Sequence, residues 1–195
     1  MELYLVRHGE TIWNQEGRYY GHSDVPLAEN GKIQAEMLGR YLKTISFDKV
    51  YCSPLQRAMD TAGYLTDQPL ILEDNLKEQN FGLFEGKTYR ELRKEYGTEL
   101  EQWNASFEEY CLPQGESFRM VRHRVDQFTE TLWKEEGKIL VVAHKGTFGH
   151  MLASLLQLPL SGYWNFVFEQ GTYSKIDLQD GYAILRALNR YPEMK

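Results

Sequence analysis

Cysteine is scarce, with only Cys52 and Cys111 in 195 residues. Two thiols without paired-ligand spacing cannot build a disulfide scaffold, and reduced thiols in the cytoplasm are expected. Long apolar runs are also missing, so no membrane span is expected. Met1 to Val6 gives way at once to Arg7, His8, Gly9 and Glu10, without the apolar stretch of a signal peptide. Positive charge is in deficit: 22 Lys and Arg against 28 Asp and Glu leave a net charge of -6. A nucleic-acid surface needs basic residues in excess on one patch, so nucleic acid is not an expected partner. Neither GxxxxGK(S/T) nor HExxH occurs, which removes the nucleoside-triphosphate loop and the zinc-protease site. Five histidines without a carboxylate cluster predict no catalytic metal, and no cofactor is expected.

An apolar fraction of 42% can build a sizeable core, and one domain over residues 1–195 is expected, since no repeat or linker-like tract divides the chain. Leu3 to Val6 is a short apolar run that ends abruptly in charge and glycine, as a buried strand does at a functional edge. Ile33, Met37, Leu38, Tyr41 and Leu42 recur at helical spacing and predict an amphipathic helix over 29–43. A strand over 49–52 follows. Ser53 and Pro54 then read as an N-cap and first helical residue, opening a helix to Leu65 with Arg57 in its first turn. Charged and aromatic residues over 87–109 predict one or two helices within a lid-like insertion at about 80–115. Phe118, Val121, Val125, Phe128 and Leu132 define one face of a helix over 117–136, ended by Gly137. A strand over 139–143 and a helix over 147–156 follow. Two strands, 172–178 and 182–188, flank the tight-turn pair Asp180 and Gly181. Alternating strands and helices closed by a hairpin predict a three-layer α/β/α sandwich, its central sheet mostly parallel with an antiparallel edge strand.

In such sheets ligands gather at the carboxyl ends of the strands. Arg7 and His8 follow the first strand, Ser53 and Arg57 the second, and His144 and Gly146 the strand before the hairpin. These groups suit a dianionic phosphate. Guanidinium forks match phosphate oxygens and stay charged at any working pH, and helix starts near Arg57 and Gly146 add backbone donors. A neutral imidazole can attack phosphorus, which makes His8 the candidate nucleophile. A leaving alkoxide needs a proton, and Glu78 is the candidate donor. Each of these residues alone has a bland reading: a surface arginine, a solvated acid, a satisfied core histidine. His123 and His150 are read as structural, His22 as a loop residue bordering the pocket or hydrogen-bonded within its loop, and the charged run from Glu91 to Glu95 as a solvated face.

Leu5 to Asn14, LVRHGETIWN, resembles the signature of the histidine phosphatase superfamily, which includes the phosphoglycerate mutases, and the likeness runs along almost the whole chain. Gly17 to Leu27 resembles the loop after that motif. Cys52 to Ala58 resembles the segment with the family's second phosphate-binding arginine, and Val142 to His144 the segment with its second histidine. The resemblance implies a phosphomonoesterase in which Arg7, Asn14, Arg57 and His144 bind phosphate, His8 attacks and Glu78 protonates the leaving group. It places Tyr20, Gly21 and Lys145 beside the substrate. Tyr20 stands where the superfamily often has glutamine, and Lys145 where a small glycine is common. Both departures bear on substrate choice.

Cofactor-dependent mutases carry a longer insertion between the proton donor and the second histidine. That interval is short here and holds no paired arginines, which favours hydrolysis over mutase activity. Tyr163 to Asp177, Phe47 to Ser53 and Leu112 to Phe118 resemble the α-ribazole phosphatases of cobalamin assembly. That resemblance implies a small phosphorylated metabolite with a flat benzimidazole end, for which Trp13, Tyr19, Tyr20, Phe81, Phe84 and Trp103 are either stacking walls or core. A broad sugar or acid phosphatase, a phosphoglycerate mutase and a phosphate-binding protein without turnover are the competing readings. Association into a homodimer stays open.

Overall fold

The structure is a computed structural model that describes residues 1–192. Its strands are β1 (Glu2–Arg7), β2 (Lys49–Cys52), β3 (Ile71–Leu72), β4 (Lys138–Ala143), β5 (Tyr173–Gln179) and β6 (Tyr182–Arg190). They form one sheet in the order β3-β2-β4-β1-β5-β6. The first four strands in that order run parallel, and antiparallel pairing is confined to β5, which pairs with β1 and β6. The helices are α1 (Ile12–Gln15), α2 (Glu29–Leu42), α3 (Gln56–Leu65), α4 (Tyr89–Glu95), α5 (Gly97–Ala105), α6 (Phe118–Leu132) and α7 (Lys145–Leu155).

Side-chain alternation along the buried strands makes the three layers. On β1 and β4, Leu3, Leu5, Ile139 and Val141 join Val121, Val125, Phe128, Met151 and Leu152 of α6 and α7. The alternate residues Tyr4, Val6, Leu140 and Val142 join Leu38, Leu42, Ala58 and Ala62 of α2 and α3. Both faces of these strands are covered, which is why they read as continuous apolar runs. A third cluster, Phe84, Leu92, Leu100, Trp103 and Leu112, lies within the 84–112 segment and around α4 and α5. The β5–β6 hairpin turns on Asp180 and Gly181, whose φ angles of 52° and 80° are those of a two-residue turn matched to strand twist.

Three expected features differ. In α2, Ile33 and Met37 face solvent, 48% and 41% exposed. The inward face is instead Gly31, Ala35, Leu38, Gly39 and Leu42. Small residues define it because α2 lies close to its neighbours: a Cβ on Gly39 would sit 2.2 Å from the carbonyl oxygen of Tyr64 at the end of α3. The helix carrying Arg57 starts at Gln56 with Leu55 in the cap position, so Ser53 is not its N-cap. Ser53 Oγ is engaged elsewhere, 2.8 Å from Nε2 of His144. Finally, α6 ends at Leu132, where Lys134 and Glu135 donate to Thr131 and Leu132 in tight turns, and Gly137 at φ 76° reverses the chain only after them. The opening of α6 is as expected, with Ser117 accepting from the Met120 amide.

The inward and outward faces of these helices have different energetic weight. Phe128, packed edge-on against Tyr51 with ring centroids 5.2 Å apart, is fully buried. Phe128→Ala is expected to lower unfolding free energy by about 3–5 kcal/mol, from lost transfer energy plus the cavity left behind. Ile33→Ala on the exposed face of α2 is expected to change it by no more than about 0.5 kcal/mol. Urea denaturation of the two variants measures both, and a large loss for Ile33→Ala would contradict the assignment of the helix face.

Candidate active site

Because β2, β4 and β1 are adjacent and parallel, their carboxyl ends share one edge of the sheet. The ladder runs one residue beyond the strands: the His8 amide donates to Ala143 at 3.0 Å and the Ser53 amide to Val142 at 2.9 Å. This register sets His8 beside His144, with ring centroids 5.1 Å apart. A pocket of about 300 Å³ opens at this edge, lined by Arg7, His8, Asn14, Tyr20, Arg57, Glu78 and Lys145 among others.

His8 is buried, and its Nδ1 lies 2.8 Å from the carbonyl oxygen of Gly9. A carbonyl only accepts, so Nδ1 carries the proton and Nε2 keeps its lone pair. Burial, then the charges of Arg57 and Arg7, hold the ring well below the ordinary histidine pKa of 6.5. His144 is displaced in the same direction by burial and then Arg57. Both rings are therefore neutral at pH 7. The site thus holds a neutral imidazole with a free nitrogen among fixed positive charges.

Arg57 is placed by the loop before it in sequence. Its Nη2 donates to the Gly21 carbonyl at 2.7 Å and its Nη1 to that of Ser23 at 3.0 Å, while its guanidinium lies 4.7 Å from the Tyr20 ring centroid. That loop is gripped by Glu85, whose carboxylate accepts from the amides of Gly21, His22, Ser23 and Phe81. Gly21 therefore has its amide and carbonyl both engaged within the protein, and it acts by holding Arg57. Arg7 donates from Nη1 to the Phe168 carbonyl at 2.9 Å. Nε of Arg7, Nε of Arg57 and Nδ1 of His144 are buried without a partner. Orphaned polar atoms of this kind are costly, and an anion in the pocket is the species that would satisfy the two guanidinium donors.

Asn14 and Tyr20 are coupled. Asn14 Oδ1 accepts from the Thr11 amide at 3.1 Å, the Tyr20 hydroxyl at 2.9 Å and Gln170 Nε2 at 2.9 Å. With its oxygen so occupied, the side-chain NH₂ of Asn14 is left for the pocket. Tyr20 is mostly buried, so its hydroxyl anchors Asn14 while its ring supports Arg57.

Glu78 reaches the same edge from the loop after β3. Its Oε2 accepts from the Gly146 amide in the first turn of α7 at 2.9 Å, and its Oε1 from the Gln79 amide at 3.0 Å. Gly146 admits this contact because it lacks a side chain: a Cβ there would lie 2.3 Å from Oε1. Lys145 opens α7 beside the pocket, exposed at its mouth.

Of the six aromatics weighed as stacking walls, Tyr19, Tyr20 and Phe81 line the pocket. Phe84 and Trp103 belong to the third apolar cluster, and Trp13 packs edge-on against Tyr20 at 5.7 Å. The sequence reading missed Phe118, His150 and Tyr163, which also line the pocket and pack on one another at 4.3–4.8 Å between centroids. His150 is not purely structural in its placement. Burial, aided by Arg122 and Arg124, lowers its pKa to about 3. Glu85 was missed as well, since its acceptors' partners lie more than 60 residues away along the chain for three of four bonds. His22 does not line the pocket and sits 3.9 Å from Glu116. Among the described residues no group of three or more His, Cys, Asp or Glu is placed to hold a metal ion, and no helix is long and apolar enough to cross a membrane.

The pocket at the strand ends, with two guanidinium groups beside a neutral imidazole, defines a site for a phosphate ester. The Histidine phosphatase superfamily (branch 1) pattern matches residues 3–190. The chain is 37% identical over 194 residues to the Adenosylcobalamin/alpha-ribazole phosphatase of Salmonella typhimurium, covering 97% of this chain and 96% of that one. It is 32% identical over 194 residues to Phosphoserine phosphatase 1 of Hydrogenobacter thermophilus, covering 97% and 92%. The crystal structure of the Alpha-ribazole Phosphatase from Shigella flexneri superposes with a TM-score of 0.93 at 34% identity, over 100% of both chains. The chain belongs to branch 1 of the histidine phosphatase superfamily.

The Glu78–Gly146 contact is the tightest steric constraint on an acidic group in the pocket. Gly146→Ala is expected to displace the Glu78 carboxyl and cut turnover of an alkyl phosphate ester about 100-fold, the scale of a misplacement near 1 Å. Steady-state kinetics alongside a thermal melt measure it, and undiminished turnover with an unchanged melting temperature would contradict the constraint.

Proposed function

We propose that the protein hydrolyses small phosphate monoesters through a phosphohistidine on His8, with α-ribazole 5'-phosphate as its substrate. The observation that carries the mechanism is the His8 ring: neutral, its proton fixed on Nδ1 by Gly9, its Nε2 free, and flanked by Arg7 and Arg57. Nε2 attacks phosphorus in line with the ester oxygen, so that the N–P bond forms as the P–O bond breaks. Arg7, Arg57, His144 and the Asn14 amide hold the phosphoryl oxygens, and the charge spread over them in transfer is met by fixed donors. Glu78, in its carboxylic acid form, gives its proton to the departing alkoxide. Its carboxylate then takes a proton from the water that attacks the phosphohistidine, which releases inorganic phosphate and restores both groups.

Substrate choice rests on the relatives and on the pocket walls. The Salmonella typhimurium and Shigella flexneri proteins are named for α-ribazole. In this chain Tyr19 and Phe81 form one aromatic pair at the pocket and Phe118, His150 and Tyr163 another group. Aromatic walls of this kind suit a substrate whose far end, beyond the ribose, is a benzimidazole. The phosphoserine phosphatase relative keeps a second reading in view, in which Lys145 at the mouth meets a carboxylate on a smaller substrate. We read residues 80–115 as a lid over the substrate, supported by Phe81 at the pocket wall, and the two free thiols as fitting a cytoplasmic enzyme.

Phosphate release should persist in chelator and fall to background in His8→Ala, together with loss of an acid-labile phosphoenzyme. In a panel of α-ribazole 5'-phosphate, phosphoserine, phosphoglycerates, sugar phosphates and 4-nitrophenyl phosphate, kcat/KM is expected to be highest for the first. Activity surviving in His8→Ala would overturn the mechanism. A higher kcat/KM for phosphoserine, or conversion of 3- to 2-phosphoglycerate faster than phosphate appears, would overturn the substrate.

A further inference from the structure

Glu78 lies on a segment with little regular structure of its own. Residues 74–76 form a single 3-10 turn, and the carbonyls of Asn75, Lys77 and Glu78 all converge on one side chain from α6. That side chain is Arg124. Its Nη1 donates to Asn75 at 2.8 Å and to Lys77 at 2.7 Å, and its Nη2 to the Glu78 carbonyl at 3.0 Å. The remaining two donors form a bidentate pair with Glu116, Nε to Oε1 at 2.9 Å and Nη2 to Oε2 at 3.0 Å. All five N–H groups of the guanidinium are thus used, three of them on carbonyls within four consecutive residues.

Glu116 extends the grip. Its Oε2 accepts from the Asn80 amide at 2.9 Å, its own amide donates to the Asn80 carbonyl at 2.9 Å, and its carbonyl accepts from Gln79 Nε2 at 2.9 Å. From α7, Thr147 Oγ1 donates to the Lys77 carbonyl at 2.9 Å while Gly146 holds the carboxyl end of the Glu78 side chain. Arg124 does not line the pocket and makes no hydrogen bond to His8, Arg7, Arg57 or His144, although its charge, behind burial and Arg57, is felt at His144. Apart from the pair with Glu116, its bonds end on the backbone that carries the acid.

We propose that Arg124, paired with Glu116, is the positioning residue for proton donation to the leaving group. It fixes the backbone of Glu78 so that the carboxyl meets the ester oxygen, and it takes no part in holding the phosphoryl group. This rests on the reading of Glu78 as the proton donor. A proton matters most to a poor leaving group, because an alkoxide cannot depart unprotonated whereas 4-nitrophenolate can. Loss of the clamp therefore has a signature that general loss of structure lacks: it is selective for the leaving group. A lysine cannot replace it, since one ammonium offers three donors from a single point where five acceptors are spread around a planar fork.

The test compares kcat/KM, which covers the step that breaks the P–O bond and leaves out the later attack of water on the phosphohistidine, for glycerol phosphate and for 4-nitrophenyl phosphate in wild type, Arg124→Gln, Arg124→Lys, Glu116→Gln and Glu78→Gln. For Arg124→Gln, kcat/KM on glycerol phosphate should fall about 100-fold, the low end of what a positioned general acid supplies, with kcat/KM on 4-nitrophenyl phosphate little changed. Arg124→Lys should show the same selectivity, and Glu116→Gln a weaker form of it. Equal losses on the two esters, or full recovery in Arg124→Lys, would overturn the proposal. If Glu78→Gln is selective for the poor leaving group and Arg124→Gln is not, positioning by Arg124 is wrong while the acid stands. If Glu78→Gln itself shows no selectivity, the acid was misassigned. Should Arg124→Gln fail to fold, Glu116→Gln, which keeps the size of the side chain, carries the same ratio, and its equal loss on both esters would count against the clamp.

Discussion

Burial strips an imidazole of the water that would stabilise its charged form, and two guanidinium groups beside it repel any proton the ring might still take up. The pocket can therefore carry fixed positive charge and a free imidazole lone pair at once. Much of the chain holds these groups together against their mutual repulsion. Three parallel strands in register deliver His8, Ser53 and His144 to one edge. The Gly9 carbonyl accepts a hydrogen bond from Nδ1–H and so keeps the proton there. Glu85 gathers the amides of the 21–23 loop, so that the carbonyls of that loop face Arg57, and Tyr20 lies against its guanidinium. Arginine in such a site stays charged, so the free energy of the buried charges is released only when an anion enters.

Glu78 and His8, the proposed acid and nucleophile, come from different parts of the fold and are held by different means. His8 and His144 follow adjacent strands, whose ladder is the most rigid feature available. Glu78 comes from an irregular loop and depends on side chains of α6 and the first turn of α7. The first turn of α7 serves both halves: it begins directly after His144 and offers the Gly146 amide to Glu78. A single helix start thereby links His144, proposed to bind the phosphoryl group, to Glu78, the proposed acid.

Local order was legible where one periodicity governed it. The apolar runs of β1 and β4, the apolar face of α6 and the Asp180–Gly181 turn all follow from residues near one another in the chain. The motif residues Arg7, His8, Asn14, Arg57, Glu78 and His144 were legible because they stand at strand ends or within segments that resemble a known family. The failures share a cause. Ile33 and Met37 look like core by hydrophobicity, yet the inward face is Gly31, Ala35, Leu38, Gly39 and Leu42, with glycine required where α3 approaches most closely. Ser53 has the chemistry of a helix cap but is claimed by His144, 91 residues away. Glu85, Arg124 and Tyr163 carry no local pattern that marks them, because what they do depends on partners distant in sequence.

The central claim is that His8 is neutral, with its proton on Nδ1, in the resting pocket. Nitrogen-15 NMR of the imidazole groups, taken through a pH titration from about 8 down to about 5, tests it most directly. The His8 signals should keep the pattern of a neutral ring protonated at Nδ1 throughout, without a midpoint near the ordinary value of 6.5. A titration centred near 6.5, or a neutral ring carrying its proton on Nε2, would contradict the account, because the attacking lone pair would then be absent.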